Sequence, residues 1–292
     1  MINGLTVKTF IGRKISAGAM VSVILLVAAL PAGLFASVLE GPHILYRTAT
    51  AMGRFSSVQV TQQWTVYPKA LDVEPFTFEE KAIYVMPNRF RSDIDSDRLQ
   101  RTHLEFGINT LTVIDGGIVV QADPFDVYQR LLRSRTPSQL MRTVNQLGVE
   151  TAISSLGRVE DAIVFVLGAR YPDKSVSQLA IDKETFLPLR LRLLDNQSGN
   201  EQPSVEIFYR DWRKIKTGQY PFHIVFTVEG RLAREIRVTE LLPNPTISPE
   251  KMDMEALRST IAQQEVGTPQ KQKQATVEEI QQKVKDFQKK FE

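Results

Sequence analysis

The sequence contains no cysteine and only three histidines among its 292 residues. The lack of cysteine excludes disulfide bonds, a thiolate nucleophile and cysteine-ligated zinc. His43, His103 and His223 are far apart, and no metal-ligand spacing such as H-E-x-x-H occurs. The chain also has no G-x-S-x-G nucleophile elbow and no glycine-rich phosphate loop. We therefore expect a protein that is not an enzyme, with no catalytic residue, no metal site and no cofactor.

A basic face is also missing, although the net charge is +3. The excess equals the contribution of Lys8, Arg13 and Lys14, because no acidic residue precedes Glu40. Residues 37–292 are therefore electrically balanced. Proteins that bind nucleic acid by its phosphates need clustered basic residues on one face. The charge distribution predicts no nucleic-acid partner.

An uncharged stretch from residue 15 to residue 39 follows the three basic residues, and it contains the apolar run 21–30. This order is typical of a secretory signal peptide. Pro31 and Gly33 end the run, so we predict cleavage after Ala36. The stretch is also long enough to span a bilayer, which makes an uncleaved inner-membrane anchor the alternative. In both cases the remainder is exported, and we expect it in the periplasm.

Short segments with two-residue alternation, separated by glycine, proline and aspartate, fill most of residues 56–244. This pattern predicts antiparallel strands. Some strands are apolar on both faces, as where Ile207 and Tyr209 alternate with Phe208 and Trp212, and this predicts a sheet covered on both faces. The predicted strands are 57–67, 77–85, 89–94, 110–114, 118–122, 162–169, 176–181, 187–194, 205–214, 222–229 and 232–241.

Two amphipathic helices interrupt the strands. Asp123 with Pro124 gives a start signal for the first, and Thr136, Pro137 and Gln139 give a capping box for the second. Helices of this kind often simply cover the core of a sheet, an interpretation that needs no ligand. The apolar face consists of Phe125, Tyr128, Leu131 and Leu132 in the first helix, and of Leu140, Met141, Val144 and Leu147 in the second.

The C-terminal part of the sequence is more polar. Residues 251–275 predict a polar linker. Residues 276–292 predict an amphipathic helix, because a capping box precedes apolar residues at helical spacing. We expect this helix to dock on its own domain, with a partner protein or a membrane surface as alternatives.

Several segments with strand and turn character follow one another in a fixed order. They are 78–91 (FEEKAIYVMPNRFR), 111–118 (LTVIDGGI), 123–124 with the helices that follow, 179–188 (LAIDKETFLP), 205–212 (VEIFYRDW), 218–221 (GQYP) and 242–245 (LPNP). Their order resembles the LolA and LolB lipoprotein carriers. The resemblance covers residues 56–250, with residues 37–55 as a leader to the domain. It implies a mainly β fold with α, in which an incomplete antiparallel β-barrel, or half-barrel, is covered by lid helices.

The resemblance implies a periplasmic carrier or chaperone that binds acyl chains of lipoproteins or lipids for transfer towards the outer membrane. It assigns the apolar faces of the two helices to the lid, and it leaves room for an inner- or outer-membrane protein partner. The alternative is an envelope regulatory or scaffold module of the same fold that binds a protein. The implied cavity residues are Trp64, Tyr84, Met86, Phe90, Phe208, Trp212 and Phe226.

One position departs from the family pattern. Members often have a basic residue directly before the strand-ending proline, where this chain has Met86 before Pro87. We therefore do not expect a lid contact that depends on a charge at that position.

Overall fold

The structure, a computed structural model, describes residues 38–69, 73–120, 123–194 and 204–266. Thirteen strands form one sheet within these ranges, and every neighbouring pair is antiparallel. The strands are β1 (Ser57–Val66), β2 (Phe76–Val85), β3 (Arg89–Ser96), β4 (Leu99–Phe106), β5 (Asn109–Ile114), β6 (Gly117–Val119), β7 (Ser154–Val159), β8 (Ala162–Leu167), β9 (Gln178–Asp182), β10 (Pro188–Leu193), β11 (Val205–Ile215), β12 (Gly218–Val228) and β13 (Arg231–Pro243).

The sheet consists of two meanders, β1 to β6 and β7 to β13. Pairing of β1 with β13 joins the meanders, so the strand order runs from β6 through β1 and β13 to β7. Strands β6 and β7 are the two edges, and within the described residues they do not pair with each other. The sheet is therefore an open half-barrel, and the predicted fold class is confirmed.

The connection between the two edge strands is helical. It contains the 3₁₀ helix η1 (Pro124–Val127), α2 (Tyr128–Arg133) and α3 (Pro137–Gln146). The predicted start signals are confirmed: Asp123 accepts a 2.9 Å hydrogen bond from the Phe125 amide, and Thr136 forms a capping box with Gln139. This connection runs from one edge of the sheet to the other, and its apolar residues are buried in one cluster with residues of the sheet, so it covers the concave face of the half-barrel. We call residues 123–147 the helical cover.

Residues 37–55 were predicted as a leader, and the structure corrects this interpretation. Helix α1 (Gly41–Met52) lies in this region and belongs to the core. Ile44, Leu45, Ala49 and Met52 are buried in the main apolar cluster. Their spacing places them on one helical face, which packs against α3 and β12.

The structure also differs from the predicted polar linker at residues 251–275. A 3₁₀ helix η2 (Pro249–Met252) precedes α4 (Met254–Val266). Met254, Leu257 and Ile261 of α4 recur at helical spacing and pack against Leu111 and Val113 of β5. Helix α4 therefore covers part of the convex face.

The predicted signal segment 1–36 and the predicted helix 276–292 lie outside the described residues. Within the part of the chain that the structure describes, no helix combines the length and the apolar character needed to cross a membrane.

Candidate ligand-binding interior

The helical cover buries its apolar face in the concave side of the sheet. Seven of the eight predicted lid residues are buried in the main apolar cluster: Phe125, Tyr128, Leu131, Leu132, Leu140, Val144 and Leu147. Met141 is half-buried and packs against the same cluster. Aromatic contacts connect the cover with the sheet, since ring centroids lie 5.4 Å apart for Phe125 and Phe226 and 6.3 Å apart for Tyr128 and Phe90. The cover and the sheet share one continuous core.

Four of the seven predicted cavity residues are buried in this core, namely Trp64, Tyr84, Phe90 and Phe226. Met86 and Trp212 are half-buried at its margin. Phe208 lies elsewhere, because it packs against a smaller cluster that includes Val164 and Val166. The structure thus brings six of the predicted cavity residues together and separates Phe208 from them. Ligand binding by any of these residues stays a prediction.

The position of Trp212 differs from the predicted alternation, which placed it with Phe208 on the face opposite Tyr209. Its indole instead packs against Tyr209, with ring centroids 6.5 Å apart. Asp211 between them has a φ of 51°, in the left-handed region, so the extended alternation is interrupted there. Aspartate tolerates this conformation better than most residues. The interruption puts Trp212 against the main cluster.

Charged residues also lie in the interior, which the sequence did not predict. Glu105 of β4 is buried and accepts hydrogen bonds from three side chains of α2. The donors are Gln129 at 2.5 Å, Arg130 at 3.0 Å and Arg133 in a short contact. One carboxylate of the sheet therefore fixes several residues of the cover.

A second polar group lies around Glu80 of β2. Its carboxyl group accepts short hydrogen bonds from Gln62 of β1 and Ser92 of β3. Gln62 also donates to the Tyr128 hydroxyl of the cover at 3.2 Å. Burial raises the pKa of Glu80 above its ordinary value, although both hydrogen bonds oppose this effect. Burial thus favours the protonated form of Glu80 more than water does.

Two ion pairs join the N-terminal end of the cover to the sheet. Asp126 accepts from Arg101 of β4 at 2.5 Å, and Asp123 accepts from Arg234 of β13 at 2.8 Å. Both guanidinium groups lie over the ring of Trp64, with distances to its centroid of 5.4 Å for Arg101 and 4.0 Å for Arg234. Burial raises the pKa of Asp123, but Arg234 and Arg101 outweigh this effect and lower it. Asp123 is therefore held as a carboxylate.

Arg135, between α2 and α3, connects the middle of the cover to α1 and β12. It donates to the carbonyl oxygens of Leu132 at 2.6 Å, Met52 at 2.8 Å and Gln219 at 3.0 Å. Burial lowers its pKa to about 10. Because Met52 ends α1 and Leu132 lies near the end of α2, the cation also faces the negative ends of two helix dipoles. Arg135 thus fixes the turn between α2 and α3.

A signal for part of this polar interior exists in the sequence. Arg101, His103 and Glu105 alternate with period two along β4, and their side chains are all buried. Such alternation marks one face of a strand, whatever the polarity of that face. The partners Asp126 and Arg234 give no comparable signal, because they meet only in the folded chain.

No protein-family model matches this chain, and no curated protein matches it in sequence. Solved structures do match. A LolA superfamily protein from Nitrosomonas europaea aligns over 75% of this chain and 100% of its own length, with a TM-score of 0.51 and 12% identity. The chain has the LolA fold.

Two further structures agree with this fold. An outer membrane lipoprotein-sorting protein domain from Vibrio parahaemolyticus covers 74% of this chain and 97% of its own length, with a TM-score of 0.50 and 12% identity. A DUF1329 family protein from Desulfovibrio piger gives the same two coverages, with a TM-score of 0.53 and 10% identity. At these identities the likeness concerns the fold alone.

Proposed function

We propose that this protein is a periplasmic carrier that binds acyl chains of lipoproteins or lipids beneath the helical cover and transfers them towards the outer membrane. The observation that carries the proposal is the contact between cover and sheet. An apolar helical face fills the concave side of an open half-barrel, and buried ion pairs hold it there. Lipoprotein sorting, which names the similar domain from Vibrio parahaemolyticus, is consistent with this use of the fold.

The buried ion pairs support a cover that moves. Replacing a buried ion pair with apolar residues of similar volume is often neutral or stabilising, so a permanent cover has no need of such pairs. When the cover leaves the sheet, Asp123 and Asp126 regain water, which offsets part of the cost of separation. An entirely apolar interface has no such compensation.

Acyl chains can replace the apolar contacts that the cover makes with the sheet. Each buried methylene contributes about 0.8 kcal/mol, so ten methylenes contribute about 8 kcal/mol. The surface they would occupy includes Trp64, Phe90 and Phe226, all of which are buried beneath the cover. An acyl chain of ordinary length would thus gain several kcal/mol by burial on this surface.

The proposal is tested by natively extracting the full chain from cells that export it and identifying whatever organic solvent releases. Stoichiometric lipid or acylated peptide is the expected result. Titration of delipidated protein with a fluorescent fatty-acyl probe should be saturable, and bound probe should accelerate amide hydrogen exchange in residues 123–147. Helix α4 lies on the convex face and serves as the internal control, with unchanged exchange. Lipid-free protein that neither binds the probe nor changes its exchange contradicts the proposal.

Two variants make this test specific to the interior. Leu131→Ala shortens a fully buried side chain of the cover, whereas Ile163→Ala shortens a half-exposed one of β8. We expect Leu131→Ala to change probe affinity and Ile163→Ala to leave it unchanged. Equal effects of the two variants would mean that the probe binds outside the interior.

The regulatory or scaffold module that binds a protein partner stays a prediction. Residues 276–292, which were expected to help that contact, lie outside the described residues.

A further inference from the structure

We infer that Arg101 and Arg234, which both lie over the ring of Trp64, form an anion site in the concave face, which the cover carboxylates Asp123 and Asp126 occupy in the closed state. The ligand would then be an anionic amphiphile whose carboxylate or phosphate headgroup replaces these two residues. This inference rests on the proposed function and specifies its ligand class.

The geometry gathers both cations at one place. Arg101 comes from β4 and Arg234 from β13, and their side chains are only 4% and 2% exposed. Both lie over the indole of Trp64, and Arg234 also lies 4.5 Å from the ring centroid of Phe125. Two buried guanidinium groups around one aromatic ring give a fixed array of donors that suits carboxylate or phosphate oxygens.

The positive and negative charges of the site are divided between the sheet and the cover. Both cations belong to the sheet, and both carboxylates belong to the cover, so opening the cover removes Asp123 and Asp126 together. Glu80 is the acid of the sheet connected to Arg101, through Ser92, which donates to Glu80 and accepts from Arg101 at 3.2 Å. Burial raises the pKa of Glu80, which weakens the compensation that this carboxyl group can give to the cation charge. Opening the cover therefore leaves Arg101 and Arg234 without the carboxylates that they bind in the closed state, and an anionic ligand can replace them.

Trp64 supplies an independent observation. Its indole Nε1 is buried and has no hydrogen-bond partner among the described residues. A buried donor without an acceptor costs about 1 to 3 kcal/mol, so such groups call for an explanation. An anion bound by the two arginines would bring an acceptor close to Trp64, over which both guanidinium groups lie. In the closed state Asp123 and Asp126 are bound by the arginines, and neither accepts a hydrogen bond from Trp64 Nε1.

The surroundings favour an amphiphile over a free anion. Phe125, Phe226 and Tyr128 form the apolar contacts next to the arginine pair, with Phe125 and Tyr128 belonging to the cover. A ligand that displaces the cover has to replace these contacts as well as the carboxylates. A headgroup alone replaces only the cover carboxylates. An acyl tail replaces the apolar contacts of the cover.

The test measures binding of delipidated full-chain protein to four probes by calorimetry. Dodecanoate and dodecyl phosphate are the anionic amphiphiles, dodecyl maltoside is the neutral amphiphile with a matched tail, and inorganic phosphate is the free anion. Amphiphiles are used below their critical micelle concentrations. We expect both anionic amphiphiles to bind roughly 5- to 100-fold more tightly than dodecyl maltoside, the range typical of a coupling between sites. Inorganic phosphate should bind far more weakly.

Variants then locate the preference. Each of the variants Asp123→Asn and Asp126→Asn removes one competing carboxylate, so anionic amphiphiles should bind to it at least about fivefold more tightly. Asparagine also retains the capping ability that position 123 requires. The charge-neutral double variant Arg101→Gln with Asp126→Asn should lower the preference, because it removes one of the two cations without leaving the other member of that ion pair unpaired. Arg210→Gln, which alters an ion pair of the exposed surface, is the matched control and should change nothing.

Each outcome has a defined meaning. Equal affinities for anionic and neutral amphiphiles overturn the inference but leave the carrier proposal intact. Phosphate that binds as tightly as dodecyl phosphate overturns the amphiphile assignment and identifies a free-anion site. A preference that is unchanged in the double variant means that Arg101 takes no part in anion binding, and this overturns the two-arginine site. Failure of every amphiphile to bind overturns the inference and the proposed function together.

Discussion

Glu105 on β4 and Arg133 at the end of α2 form an ion pair inside the molecule, where the side chain of Glu105 is only 1% exposed. The same carboxylate accepts from Gln129 and Arg130, so three residues of one helix depend on a single residue of the sheet. Any change at Glu105 therefore acts on the attachment of α2 as a whole.

We predict that Glu105→Gln lowers the free energy of unfolding by about 3 kcal/mol, because it leaves buried Arg133 without its carboxylate. Denaturation with urea measures the loss, and amide hydrogen exchange should accelerate most in residues 128–133. Glu160→Gln is the control, since Glu160 pairs with Arg210 on the surface and should change stability by less than about 1 kcal/mol. Similar losses in both variants would contradict a special role for Glu105.

A second prediction concerns pH and Glu80. Burial raises its pKa above the ordinary 4.5, so the folded chain holds this proton at pH values where the unfolded chain has released it. The folded state then binds more protons than the unfolded state, and the contribution of Glu80 to stability falls as the pH rises above about 4.5. Neutral Glu80→Gln lacks this loss.

We therefore expect the free energy of unfolding of Glu80→Gln, relative to the unchanged protein, to increase between pH 4.5 and pH 8. Urea denaturation across this range gives the difference directly. The new glutamine at position 80 can be accommodated, because Gln62 Oε1 is buried without a partner among the described residues. After the side-chain amide of Gln62 flips, this oxygen can accept a hydrogen bond from the amide of the new glutamine. A constant difference between the two proteins would show that Glu80 has no raised pKa.

Alternation and capping signals are local, so the sequence predicts most strands and the two helices of the cover, whereas the open half-barrel comes from the resemblance to the lipoprotein carriers. The sequence does not predict β4, since Arg101, His103 and Glu105 turn polar side chains inward and hide the usual apolar pattern. Helix α1 is missed for a different reason, as its apolar face follows directly after the predicted export segment. The ion pairs between cover and sheet join residues up to 111 positions apart, and no local pattern indicates such partners.

A third prediction distinguishes two glycines with similar φ. Gly53 ends α1 with φ 68° and ψ −166°, a region open almost only to glycine, and a Cβ there would lie 2.3 Å from the carbonyl oxygen of Thr217. Gly107 has φ 63° in the β4–β5 turn, with open space around its Cβ position. Gly53→Ala should cost about 3 kcal/mol or more and Gly107→Ala about 1 kcal/mol. Equal midpoints of urea unfolding for Gly53→Ala and Gly107→Ala would contradict this expectation.

The attachment of α4 to the convex face gives the fourth prediction. Ile261 is buried against Leu111 and Val113, whereas Gln263 on the same helix is exposed. Ile261→Ala should weaken docking by about 2 kcal/mol and raise amide exchange in residues 254–266 about thirtyfold, while Gln263→Ala should leave it unchanged. Exchange in residues 123–147 should stay the same in both variants, because the helix lies on the opposite face of the sheet from the cover. Acceleration in the cover would instead mean that the two faces are coupled through β4 and β5, and that α4 takes part in opening the interior.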